Sequence, residues 1–109
     1  SAVFGPECAV SGSLVANGCV VEGEVAESVL FGGACVEAGA RVTRSILDKT
    51  VRVGAGAVVG GEADITVVGK NAVVPPGVRV GAGARVDIGV RPEDFPGAEV
   101  AAGAEVVRR

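Results

Sequence analysis

Histidine, methionine, tryptophan and tyrosine are absent from this 109-residue chain, and phenylalanine occurs 3 times. A core organised around large aromatic rings is therefore not expected. Without His, the commonest general base and metal ligand is missing. Basic excess is missing too: 10 Lys and Arg stand against 13 Asp and Glu, a net charge of −3. That balance argues against a nucleic-acid partner, which calls for a basic face. No apolar run approaches the ~18 residues of a membrane span, and the first residues do not resemble a signal peptide. A cytoplasmic protein with no membrane partner is expected. Cys8, Cys19 and Cys35 make an odd count without a CxxC. They read as reduced structural thiols rather than a zinc site. The chain does not begin with Met, which reads as a segment cut from a longer protein; Ser1 is either native or an added residue.

What is present is valine, alanine and glycine in a fixed order. Hydrophobic residues make up 49% of the chain, and Gly accounts for 18 positions. From Val53 the chain reads VGAGAV, VGGEAD, then VGKNAV, VPPGVR and VGAGAR. An aliphatic residue leads each hexad: Val53, Val59, Val68, Val74, Val80 and Val86. Four residues after the first five sit Ala57, Ala63, Ala72, Val78 and Ala84. The same pairing runs upstream as Leu30/Ala34, Val36/Ala40, Val42/Ile46, Leu47/Val51, Val15/Cys19 and Val21/Val25. A longer repeat overlies the first, in SLVANGCVV, SVLFGGACV, SILDKTVRV and TVVGKNAVV, beginning at Ser13, Ser28, Ser45 and Thr66.

Three hexads per coil is the mark of a triangular prism. The spacing predicts an all-β, single-stranded left-handed parallel β-helix of about five coils over residues 1–90, with residues 91–109 as a short capping tail. Each hexad supplies a short strand and a corner; the leading residue points inward and its partner fills the corner. Coils stack ~4.8 Å apart as parallel strands, buried against a dry core and hence rich in Val. Three inward ladders follow: Leu30–Leu47–Val68–Val86, Val36–Val53–Val74 and Val42–Val59–Val80. Before Ser28, the residues Val3, Ala9, Val15 and Val21 keep the step of six, after which the register breaks. An antiparallel sandwich would show period-two alternation and turns every ~8–12 residues, and the hexad count is too regular for it.

The ends of such a stack expose unpaired strand edges. In the tail, Pro92 starts a short helical turn and Phe95 is the natural plug for the C-terminal end. The N-terminal end lacks an equivalent, which points to an upstream domain or a partner covering it. Phe4 and Phe31 follow leading residues, and Ala16 occupies the same slot between them. A Phe4–Ala16–Phe31 strip on the outside is a candidate contact surface; the alternative is that it packs under the tail.

The strings SLVANGCVVEGEVAESVLFGGACVEAGARV, SILDKTVRVGAGAVV and ITVVGKNAVVPPGVRVGAGARV resemble the C-terminal β-helix domain of bacterial glucose-1-phosphate adenylyltransferase (ADP-glucose pyrophosphorylase), a sugar-1-phosphate nucleotidyltransferase. The resemblance implies that the catalytic domain, with its Mg²⁺-binding acids, lies upstream, and that this segment carries no cofactor of its own. It implies a non-catalytic part serving oligomerisation and allosteric regulation in ADP-glucose synthesis for glycogen. The partners implied are the catalytic domain, further copies of the chain and a phosphorylated sugar effector. In some family members a lysine in the stretch matching TVVGKNAVVPPG contributes to activator binding, and the nearest match is Lys70. Acyltransferases of the same fold use a His base and its carbonic anhydrases use His ligands, so neither activity is expected here. No catalytic residue and no metal ligand are assigned.

Position adds a reading of its own. Lys49 lies two after Leu47 and Lys70 two after Val68, so the two ammonium groups emerge from neighbouring rungs. Like charges on adjacent strands repel, and a phosphate would relieve them. The alternative is that both lysines fan into solvent with Asp48 as local counter-charge. A self-assembling β-helix scaffold with no enzyme attached is the competing functional reading.

Overall fold

A computed structural model describes all 109 residues, Ser1–Arg109. Its strands are two or three residues long and pair in parallel throughout. They form the three flat faces of a left-handed β-helix, 33 × 25 × 19 Å. Face A carries Val3–Phe4, Val20–Val21, Cys35–Val36, Arg52–Val53 and Val73–Val74. Face B carries Ala9–Ser11, Glu24–Ala26, Arg41–Thr43, Val58–Val59, Arg79–Val80 and Glu99–Val100. Face C carries Leu14–Val15, Val29–Leu30, Ser45–Leu47, Thr66–Val68, Arg85–Val86 and Glu105–Val106.

Two faces thus have six strands, so the stack has about six coils rather than five. The extra coil comes from the tail. After a 3-10 turn at Pro92–Asp94 the chain rejoins the prism, and Val100 and Val106 pair in register with Val80 and Val86. Both are buried. The 3-10 turn and Phe95 come where a sixth strand of face A would lie, and Phe95 packs against the core.

The three inward ladders have the expected register. Leu30 pairs with Leu47, Leu47 with Val68 and Val68 with Val86. Val36–Val53–Val74 and Val42–Val59–Val80 do the same on the other faces. These side chains belong to one core of 23 buried residues, filled out at the corners by Cys19, Ala34, Ala40, Val51, Ala57 and Ala72. The arrangement works because each coil offers one branched aliphatic per face and one small residue per corner.

The B-to-C corner departs from the hexad. From Val25 to Leu30 and from Val42 to Leu47 it takes five residues, so the inward corner position falls three after the leading residue. Ser28 and Ser45 occupy it, and Ile46, expected there, lies on the outer side of face C. Between Val59 and Val68 the same corner takes nine residues, and Ala63 sits exposed in that insertion instead of filling the core. Val25 is a ladder residue, paired with Val42, and not a corner filler. The first coil is also shifted: Phe4 and Val10, not Val3 and Ala9, stand on the inward ladders. The corner between Val21 and Val25 is shorter by two residues, and Gly23 is needed there because a Cβ would run into the carbonyl oxygens of Ala40 and Glu37.

The buried hydroxyls at the B-to-C corner form a ladder. The Ser28 amide donates to Ser13 Oγ at 3.0 Å, and the Ser45 amide to Ser28 Oγ at 3.0 Å. Ser28 Oγ in turn donates to the Ala26 carbonyl, and Ser45 Oγ to that of Thr43. Thr66 continues the line, accepting from the Gly83 amide and donating to the Gly81 carbonyl. A hydroxyl serves here because it both donates and accepts, meeting backbone groups that water cannot reach.

Candidate functional site: the corner of Lys49 and Lys70

The C-to-A corner keeps a six-residue step from Val15 to Val21, Leu30 to Val36, Leu47 to Val53 and Val68 to Val74. Equal steps bring equal positions into line. The Asn71 amide donates to the Lys49 carbonyl at 3.0 Å, the Gly89 amide to the Lys70 carbonyl at 2.9 Å, and the Thr50 amide to Gly32 at 3.1 Å. Lys49 and Lys70 therefore occupy the same position on adjacent rungs, ~4.8 Å apart along the prism. Both are exposed and neither takes part in an ion pair, whereas Arg41, Arg44 and Arg52 are paired with Glu24, Glu27 and Glu37. Asp48 Oδ1 accepts from the Lys49 amide at 2.7 Å, which occupies the local counter-charge with backbone.

The residues after the lysines, Thr50 and Asn71, have positive φ. The same position elsewhere in this corner is glycine: Gly18, Gly33 and Gly89. Thr50 Oγ1 contacts the Lys49 carbonyl and the Asn71 side-chain amide. On the face-C side of this corner lies a shallow hollow lined by Asp48, Arg85, Asp87, Ile88 and Glu105. Its three carboxylates disfavour an anion there.

The proposed strip of Phe4, Ala16 and Phe31 is not brought together. Ala16 and Phe31 share a position on the outer edge of face C, one rung apart. Phe4 stands on face A, on the inward ladder with Val21, and is 51% exposed because it lies at the open end. The first-coil register error carries it from one face to another. A longer apolar row was missed: Leu14, Val29, Ile46 and Val67 line the outer side of face C through four coils. Alignment of SLV, SVL, SIL and TVV, rather than of hexads, is the signal that shows it.

Cys8, Cys19 and Cys35 are free. Cys19 is a corner filler whose Sγ lies 3.2 Å from the Phe31 carbonyl, and burial pushes the Cys35 thiol up from its ordinary value. No group of three His, Cys, Asp or Glu side chains converges to hold a metal ion. At the last coil, the Arg91 guanidinium and amide donate to Asp94, as does the Arg109 amide. These donors, the Arg91 side chain foremost, hold the Asp94 carboxyl down at about 2.

With three flat faces, hexad corners and the aligned lysines described, comparison with known proteins decides the family. The model of the family described as GlmU-like, C-terminal hexapeptide matches residues 4–91. The chain belongs to the GlmU-like C-terminal hexapeptide family. The chain is similar to a glucose-1-phosphate adenylyltransferase of Thermomicrobium roseum, 40% identical over 86% of this chain and 29% of that protein. The corresponding enzyme of Acetivibrio thermocellus is 31% identical over 96% of this chain and 32% of its own length. The hexapeptide chain thus spans about a third of these relatives. Among solved structures, a mutant perosamine N-acetyltransferase from Caulobacter crescentus superposes with a TM-score of 0.59 at 24% identity, over 98% of this chain and 50% of that one. The acetyltransferase domain of PglB from Neisseria gonorrhoeae gives 0.55 at 24% identity, over 98% and 54%. At that identity the likeness is one of fold. No helix is long and apolar enough to cross a membrane.

Proposed function

We propose that this chain is the non-catalytic β-helix part of a sugar-1-phosphate nucleotidyltransferase of the glucose-1-phosphate adenylyltransferase type, working in the cytoplasm in oligomer assembly and allosteric control. The observation that carries the reading is 40% identity, spread over 86% of the chain, to an enzyme of that name of which it covers only 29%. Chemistry agrees: a hexapeptide prism without a single His lacks the usual proton-transfer group. In this reading Mg²⁺ and both substrates belong to the upstream catalytic domain, and the effector is a phosphorylated sugar held at Lys49 and Lys70.

The test uses the full-length protein and this chain side by side. With ATP, glucose 1-phosphate and Mg²⁺, the full-length protein forms ADP-glucose and pyrophosphate; the chain alone forms neither. In the full-length enzyme Lys70→Ala raises the activator concentration needed for half-maximal effect by roughly one to two decades, the worth of one charge-assisted contact. It leaves the unstimulated rate unchanged. Turnover by the isolated chain overturns the non-catalytic reading. Unchanged activation in Lys49→Ala and Lys70→Ala returns both lysines to solvent.

A further inference from the structure

The effector reading rests on two lysines, and the corner that carries them has a second peculiarity. In the C-to-A corner, the position after the lysine has a left-handed backbone in every coil that repeats it: Gly18, Gly33, Thr50, Asn71 and Gly89. Glycine adopts that conformation freely, asparagine tolerates it, and a β-branched residue is an outlier there. Thr50, at φ 56°, is the one β-branched residue with positive φ in the chain. Coils three and four therefore abandon the inexpensive residue at the two rungs that also carry the lysines.

The two other non-glycine residues with positive φ, Glu27 and Arg44, bond to each other across adjacent rungs at 2.8 Å. Their side chains have a use inside the protein. Thr50 and Asn71 also meet across adjacent rungs, but both are exposed and their contact leaves the Asn71 NH₂ without a protein acceptor. Thr50 also lays its methyl group over Gly33, which fixes the side chain against the preceding rung. The result is a polar edge running beside two unpaired ammonium groups.

Building on the effector reading, we propose that the Asn71 side-chain NH₂ is a direct ligand of the phosphate group bound by Lys49 and Lys70, supplying a directed hydrogen bond where the lysines supply charge, and that the Thr50 hydroxyl, which donates within the corner, orients that amide through its Oδ1. Backbone strain of this kind persists where the surroundings over-determine it, and its natural place is a ligand clamp. The lysines alone would attract any anion. The amide NH₂ beside them favours an oxyanion, with several acceptor oxygens, over a halide.

The experiment turns on glycine, which relaxes the corner and removes the polar side chain at once. Thr50→Gly and Asn71→Gly in this chain are compared with wild type and with the Lys49→Ala, Lys70→Ala double variant. Inorganic phosphate is titrated against each at constant ionic strength, with chloride as control, and followed by amide chemical shifts. Thermal melts are recorded on the same samples. Each glycine variant is expected to weaken phosphate binding about tenfold or more while melting at or above the wild-type temperature. Thr50→Asn, which keeps a polar group at a tolerated left-handed position, restores binding. If wild type and both glycine variants bind equally while the lysine variant does not, the lysines act alone and the inference falls. If wild type shows no saturable shift with phosphate, the effector reading falls with it.

Discussion

Two corners of the same prism solve one problem differently. The C-to-A corner keeps six residues per coil and is plugged by Cys19, Ala34, Val51, Ala72 and Val90. The B-to-C corner takes five residues at Val25–Leu30 and Val42–Leu47 and nine at Val59–Val68, and is plugged by Ser28, Ser45 and Thr66. Removing one residue from the corner removes the turn geometry that lets backbone groups find one another. A hydroxyl then has to reach the stranded amide, as Ser28 Oγ does for Ser45. Spacing thus decides whether a buried corner is apolar or polar. It also decides alignment, because a corner of constant length stacks like on like and puts Lys49 over Lys70.

The largest effect is expected where the two corners share a ladder. Val68 follows the nine-residue corner, opens the regular one and is fully buried. Val68→Asp places a carboxylate without a partner between Leu47 and Val86, costing several kcal/mol; urea unfolding checks it, and an unchanged midpoint would refute the inward placement. Next comes the polar plug. Ser28→Ala orphans the Ser45 amide and should cost about 1–3 kcal/mol. Ala34→Ser, in the apolar corner, buries a hydroxyl with no stranded amide to serve and should also destabilise. If Ser28→Ala melted like wild type, the distinction between the corners would lose its energetic basis. The smallest effect belongs where the regular corner runs out, past Val90. There Asp94 accepts from Arg91 and Arg109, and its carboxyl is held at about 2, below the ordinary carboxylate value. A depressed folded-state value stabilises at pH above the ordinary ~3.9 and is lost as pH falls toward 2. Melting temperature should fall over that window in wild type more than in Asp94→Asn.

The ladders were legible because Val, Leu and Ala recur at six-residue intervals from Leu30 onward, and inwardness follows from that recurrence alone. The shifted first coil was not, because Val3–Phe4 and Ala9–Val10 each offer two apolar residues in a row and the strand's period of two does not choose between them. That ambiguity sent Phe4 to the wrong side. Ile46 was misplaced because an apolar residue was expected in every corner, whereas the five-residue step calls for Ser45. The alignment of Lys49 with Lys70 was legible because both follow ladder residues at equal distance. Thr50 and Asn71 were passed over because nothing in their identity marks the backbone they adopt; the mark is glycine at Gly18, Gly33 and Gly89, visible once the corners are aligned.

Thr50 also bears on where in the stack a costly corner can be tolerated. Each coil touches only the one before and the one after, so cooperativity along the prism is one-dimensional and opening proceeds inward from the ends. A distorted turn in the first or last coil has one neighbour to restrain it and would simply fray. Thr50 lies in the third of about six coils, with Gly33 on one side and Asn71 on the other, each hydrogen-bonded to its own neighbour in turn. The middle of the column is the place that can hold such a turn shut from both directions, and protection of its amides against exchange should outlast that of either end.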